Sequence, residues 1–216
     1  MAEEYDLLLT PRDRAVRQLV RQKVSQYLTS GTLLDFGGGT GLDLEWLMAE
    51  GYSVEFIEPS EGMRAKARER LARNPSWTGR VNIVEKFTDV FSWSDQSLPV
   101  ALPVDGVLMN FAVLNCIHNL TTLFRQLSLV TRRGAYIVAL ILNPNPLHVM
   151  KHSVRNAIGL LLGAAAAQQV TRYRHARHPV LIHSLRSIKR ATPQFTNVLT
   201  QPIPNSEFTL IVWQRQ

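Results

Sequence analysis

The stretch that most constrains this chain is Leu33-Leu34-Asp35-Phe36-Gly37-Gly38-Gly39-Thr40-Gly41. Thr32 to Phe36 is a short apolar run with one acid inside it, the pattern of a buried strand. Four glycines then turn the chain. Leu42, Leu44, Trp46, Leu47 and Met48 follow among polar residues, which predicts a helix over 42–50 packed on a sheet. Strand, glycine turn and helix therefore come as one unit. Glycine has no Cβ and tolerates positive φ, so such a turn brings bare backbone close to a ligand. The following helix start adds N–H groups that the helix itself does not use.

The glycine spacing narrows the ligand. A dinucleotide turn has the form Gly-x-Gly-x-x-Gly/Ala, and counting from Gly37 puts Leu42 at its third glycine position. A phosphate-cradling P-loop ends in Gly-Lys-Ser/Thr, which is absent. The spacing here is Asp35-x-Gly37-x-Gly39-x-Gly41. A second strand, Ser53 to Ile57, ends at Glu58, an acid at the neighbouring strand tip and at the distance from the turn where a carboxylate accepts hydrogen bonds from ribose hydroxyls.

On these residues the chain resembles the class I S-adenosylmethionine (SAM) methyltransferases, whose first motif is Asp/Glu-x-Gly-x-Gly-x-Gly. The resemblance covers residues 31–142. It implies an α/β fold: a seven-stranded, mostly parallel, doubly wound sheet with an antiparallel last strand, and here a helical cap insertion after strand five. It also implies a cofactor set. Asp35, Gly37, Gly39 and Gly41 form the turn, and Glu58 takes the ribose. Glu58-Pro59-Ser60-Glu61-Gly62-Met63 resembles the second motif, which brings Pro59 and Met63 near the cofactor. Asp89 and Val90 correspond to the loop that contacts adenine. Asp105-Gly106-Val107 resembles the fourth motif, Asp-x-Val, and Asn110 and Phe111 lie at the carboxyl end of its strand. The DNA amino-methyltransferases carry Asn/Asp-Pro-Pro-aromatic there. Asn110-Phe111-Ala112-Val113 lacks both prolines, which argues against a flipped base and for the small-molecule branch.

Charge separates the two halves. Residues 1–122 hold 12 Lys and Arg against 16 Asp and Glu, whereas residues 123–216 hold 12 against Glu207 alone. Gly106 to Ser206 contains no acid and all six histidines. That half attracts anions, whether a phosphate, a carboxylate, nucleic acid or a lipid surface. A general base drawn from it is by default a histidine, and His183 and His118 are the candidates. Arg172, Arg174 and Arg177 either hold an acidic acceptor or form a solvated basic face. The lone Cys116 excludes an intramolecular disulfide and a cysteine-rich zinc site, and no metal is expected. A reducing, cytoplasmic setting fits that count and an N-terminus without a signal-peptide pattern. No apolar run reaches the roughly 18 residues of a membrane span.

The rest of the chain supplies the frame. Residues 1–30 read as a lid segment (Tyr5–Leu9) and an amphipathic helix over 12–28. Residues 31–142 are the cofactor core, with Ser60 capping a helix that turns Arg64 outward and Thr121 or Thr122 near the start of another. Residues 143–190 form the cap and acceptor region, apolar and helix-compatible from Leu147 to Gln169. Residues 191–216 make a C-terminal hairpin. The expected activity is methyl transfer from SAM to an oxygen or nitrogen of a small, acidic or lipophilic metabolite, in one domain, leaving S-adenosylhomocysteine. An RNA methyltransferase and a non-catalytic partner subunit are the alternatives, with nucleic acid disfavoured and a homodimer contact a rival use of the cap.

Overall fold

The computed structural model describes residues 6, 9–86, 88–94, 97–100, 103–173 and 176–216, without the side chains of 171–173 and 176–178. Helix α1 (Pro11–Tyr27) starts at a reciprocal cap in which Thr10 and Asp13 bond each other's backbone N–H. It lays Val16, Val20 and Val24 on the sheet. Strand β1 (Thr32–Phe36), α2 (Leu44–Ala49), β2 (Ser53–Ile57), α3 (Glu61–Ala72), β3 (Val81–Ile83), β4 (Val104–Met109), α4 (Leu120–Val130) and β5 (Thr131–Leu142) then alternate.

The seven-stranded sheet has the order β3-β2-β1-β4-β5-β9-β8, where β8 is Phe195–Pro202 and β9 is Phe208–Arg215. Pairing is parallel from β3 through β5. Strand β9 is antiparallel to both β5 and β8, so it alone runs against the rest. The chain reverses its direction of winding between β1 and β4, and ligands of open α/β sheets bind beyond that point.

Period-two alternation divides the core. Leu34, Phe36, Val107, Met109, Ile137, Ala139, Ile211 and Trp213 pack on one side, with α4 and α7 (Leu185–Ala191). Leu33, Phe56, Leu108, Val138, Leu140 and Val212 pack on the other, with α1, α2 and α3. Both faces are covered, which is why the central strands read as continuous apolar runs.

The insertion after β5 departs from the helical expectation. Two short helices, α5 (Pro146–Met150) and α6 (Val154–Leu161), are followed by a hairpin of β6 (Ala166–Tyr173) and β7 (Ala176–His183). Gly163 at φ +95° ends the helical stretch. Beyond it, cross-strand pairing of residues 166–173 with 176–183 overrides the helix preference of the alanines. Ala167, Val180 and Ile182 close a small core with Leu142, Val149, Ala157 and Leu160. Helix α2 spans 44–49 rather than 42–50. Thr121 and Thr122 stand in the first turn of α4 as expected, and Asn119 caps it by accepting from Thr122 N–H. Ser60 stands at the start of α3 but its side chain makes no cap bond.

Candidate active site

The glycine turn is pinned to the neighbouring strand by its own N–H groups. Gly37 and Gly38 donate to the Ile57 carbonyl at 2.7 and 3.2 Å. Gly39 donates to Glu58 Oε2 at 3.0 Å, and Ser60 N–H donates to Glu58 Oε1 at 2.8 Å. Glu58 thus faces the turn and is 9% exposed. The glycines serve different ends. A Cβ on Gly37 would stand 2.7 Å from Val113, and one on Gly38 would run into the Phe56 ring. A Cβ on Gly39, at φ +61°, would meet nothing within 4 Å. Gly37 and Gly38 are glycines for packing, and Gly39 borders open space.

Asp35 lies beneath this turn, 1% exposed. Its Oδ2 has no hydrogen-bond partner among the described residues. Burial, then the negative charges of Asp43 and Glu58, push its carboxyl well above the usual range, against the pull of Arg17. Asp43 is the organiser that sequence reading missed. Its Oδ2 accepts from Arg17 Nη1 at 2.5 Å and from Asn110 Nδ2 at 2.9 Å, and its Oδ1 accepts from Trp46 Nε1 at 2.8 Å. Asn110 is thereby fixed at the end of β4. Arg17 in turn lies 4.2 Å from the centre of the Phe111 ring, a cation–π contact. Phe111 and Ala112 both have positive φ, 50° and 66°. Two successive left-handed non-glycine residues cost of the order of 1–2 kcal/mol each, and such strain collects at functional sites.

The remaining expectations divide. Pro59 follows Glu58 directly, and Met63 is half-buried on α3. Arg64 points inward instead of outward: it is 8% exposed, donates to the Glu58 carbonyl at 2.5 Å and pairs with Glu61, so it braces the acid's own backbone. Asp89 is exposed and its Oδ1 caps the short turn at Val90–Ser92 by accepting from Phe91 N–H at 3.0 Å. Val90 is 2% exposed inside the core, so its side chain presents almost no surface to an adenine ring. His118 is exposed just past the 113–116 turn. His183 is 4% exposed with Nε2 at 2.9 Å from the Ile117 carbonyl, and burial lowers its pKa. Asn115, fully buried, donates to the Leu181 carbonyl and accepts from Leu142 N–H, tying the hairpin to the end of β5. Of the Tyr5–Leu9 lid only Asp6 and Leu9 are described, and Asp6 bonds Thr40 at 2.5 Å and Arg70 at 2.6 Å. Arg174 lies outside the described residues, as do the side chains of Arg172 and Arg177.

A family model described as a methyltransferase domain matches residues 12–194. The chain belongs to that methyltransferase family. No curated protein matches it by sequence. Solved structures agree on the fold at low identity. The glycopeptide N-methyltransferase MtfA in complex with S-adenosylhomocysteine has a TM-score of 0.69 at 14% identity, covering 96% of this chain and 98% of its own. An S-adenosylmethionine-dependent methyltransferase from Clostridium acetobutylicum reaches 0.64 at 12% identity, covering 99% and 97%. The 1,6-didemethyltoxoflavin-N1-methyltransferase of Burkholderia thailandensis, with bound 1,6-didemethyltoxoflavin and S-adenosylhomocysteine, gives 0.64 at 16%, covering 95% and 80%. The fold these structures share is the α/β architecture described above. In this member, the Arg17–Asp43–Asn110 network joins α1 to the end of β4, a link for which helix spacing gave no signal.

Proposed function

We propose that this methyltransferase binds SAM at the crevice between the glycine turn and Glu58 and methylates an oxygen or nitrogen of a small molecule. The observation that carries the reading is the Glu58 carboxylate. It is held facing the turn by two backbone N–H groups, and a carboxylate has about four acceptor positions, so two remain for a ribose diol. The fit is also electrostatic. Asp35, Asp43 and Glu58 gather around the crevice with Arg17 as their cationic neighbour, and SAM carries a sulfonium and an ammonium against one carboxylate. The open side of Gly39 leaves room for its amino-acid end. When bound, SAM supplies a methyl group activated by positive sulfur.

The protein's own part is alignment. Asn110 and Phe111, fixed by Asp43 and Arg17, border the place where acceptor and donor meet. Where the acceptor is a hydroxyl or an ammonium, His118 takes the proton, being exposed in a stretch, Gly106 to Ser206, whose own sequence contains no carboxylate. His183 is a positioning residue, since its ring is buried and bonded to the Ile117 carbonyl. We assign residues 143–190 to the acceptor side of a single domain. Two structural neighbours named for N-methylation of a glycopeptide and of 1,6-didemethyltoxoflavin support a small-molecule acceptor. Incubation with methyl-labelled SAM and fractionated cell extract tests this. Label in the low-molecular-weight fraction is expected, and label confined to RNA would replace the small-molecule reading.

A further inference from the structure

Six of the large apolar side chains exposed on this protein fall between Leu147 and Leu162. Helix α6 buries Ala157 and Leu160 in the cap core and exposes Val154, Ile158 and Leu161 at spacings of four and three, a single outward face. Leu162, next in line, is 83% exposed. Helix α5, packed against α6, buries Val149 and exposes Leu147 and Met150. A soluble surface scatters such residues singly, and a run of them marks something that covers it.

Charge says what covers it. Lys151 and Arg155 are exposed between the apolar positions, and among the described residues neither has a carboxylate partner. The chain offers no acid from Gly106 to Ser206, and the Glu207 carboxylate beside this segment lies against His152 rather than Lys151 or Arg155. We propose that the α5–α6 face docks on the surface of an anionic lipid bilayer. Leucine and isoleucine side chains of an interfacial helix enter the acyl boundary, while lysine and arginine reach the headgroup phosphates. A second copy of the chain fits less well, because it would set Lys151 and Arg155 against their own equivalents. No helix of the described residues is long and apolar enough to cross a membrane, so the contact is one of lying on the surface. The same cap packs on Ala112 and Leu142 beside the crevice. The inference goes beyond methyl transfer and does not depend on it.

The test is sedimentation of the full chain with vesicles of phosphatidylglycerol and phosphatidylcholine, or of phosphatidylcholine alone. Binding to the anionic vesicles is expected to exceed the neutral ones by about tenfold or more and to fall with salt. The triple variant Ile158→Ser, Leu161→Ser, Leu162→Ser changes only exposed positions. It should lose about tenfold in vesicle binding while its melting temperature and its affinity for S-adenosylhomocysteine stay unchanged. Lys151→Glu with Arg155→Glu should abolish the preference for anionic lipid. Wild-type protein that stays in the supernatant with anionic vesicles overturns the proposal. So does vesicle binding that the serine variant retains, and so does a dimer, seen by light scattering, that the same variant disperses.

Discussion

Replacing Glu58 with glutamine separates its two duties. The carboxylate already accepts from Gly39 N–H and Ser60 N–H, which leaves two acceptor positions for two ribose hydroxyls. Glutamine keeps one oxygen and converts the other into a donor. That donor then faces either a backbone N–H or a hydroxyl, and one hydrogen bond to a charged group is lost. Such a bond is worth about 1.5–3 kcal/mol, which is roughly a 10- to 150-fold rise in the dissociation constant for S-adenosylhomocysteine. Glu58→Ala removes both duties, so it should weaken binding further and also lower the melting temperature by freeing the turn. The control is Glu55→Gln. Glu55 lies on β2, which leads to Glu58, but its Oε2 is bonded to Asn82 at an exposed position. As a surface change it should alter affinity by no more than about twofold. Calorimetric titration reads the affinities, and circular dichroism checks the fold. The reasoning is refuted if Glu58→Gln binds within about twofold of wild type, the surface-change range, or if Glu55→Gln loses as much as Glu58→Gln.

Other outcomes follow from the same geometry. Asp35→Asn removes a buried charge beside Asp43 and Glu58, so it should raise the melting temperature at pH 8 by several degrees, at about 2–4 °C per kcal/mol, while weakening cofactor binding. Because the folded carboxyl is raised, the wild-type penalty is absent below the unfolded value and grows as pH climbs through the folded one. The gap between the two proteins should therefore shrink on acidification, and melts at several pH values check it. Gly39→Ala meets no neighbour and carries only left-handed strain of about 1–2 kcal/mol. It should fold, melt a few degrees lower and lose cofactor affinity, whereas Gly38→Ala, which overlaps Phe56, should not give stable protein. His183, its pKa lowered by burial, gives full stability above the unfolded value near 6.5 and progressively less as pH falls through the folded one. His183→Asn should flatten that acid limb of the melting profile, and a methylation rate at pH 8 that falls without loss of S-adenosylhomocysteine affinity would agree with a positioning role.

Much of the nucleus was legible because it rests on short-range rules. The apolar run 32–36, the glycine turn and the acid at 58 lie within one strand–helix–strand unit, so their placement side by side follows from short sequence separations. The parallel strands were legible as continuous apolar runs because helices cover both faces. What could not be read depends on contacts between distant residues. Arg17 looks like any other arginine on an amphipathic helix until Asp43, 26 residues away, and Phe111 are placed beside it. Arg64 reads as an outward cation, yet its guanidinium turns back under Glu58. The first strand of the hairpin, Ala166–Tyr173, hides behind alanine and glutamine, which favour helix locally and become strand only through pairing with residues 176–183. Phe111 and Ala112 carry no glycine to announce a left-handed backbone, so the strain next to Asn110 emerged only from the folded chain.

Titration of the wild-type protein with S-adenosylhomocysteine, with NAD as the comparison ligand, tests the central claim most directly. A nucleoside whose ribose is gripped by Glu58 and whose amino-acid end lies along Gly39 should bind one per chain, and NAD should give no heat. Absence of binding by S-adenosylhomocysteine, or equal binding of NAD, would contradict the account.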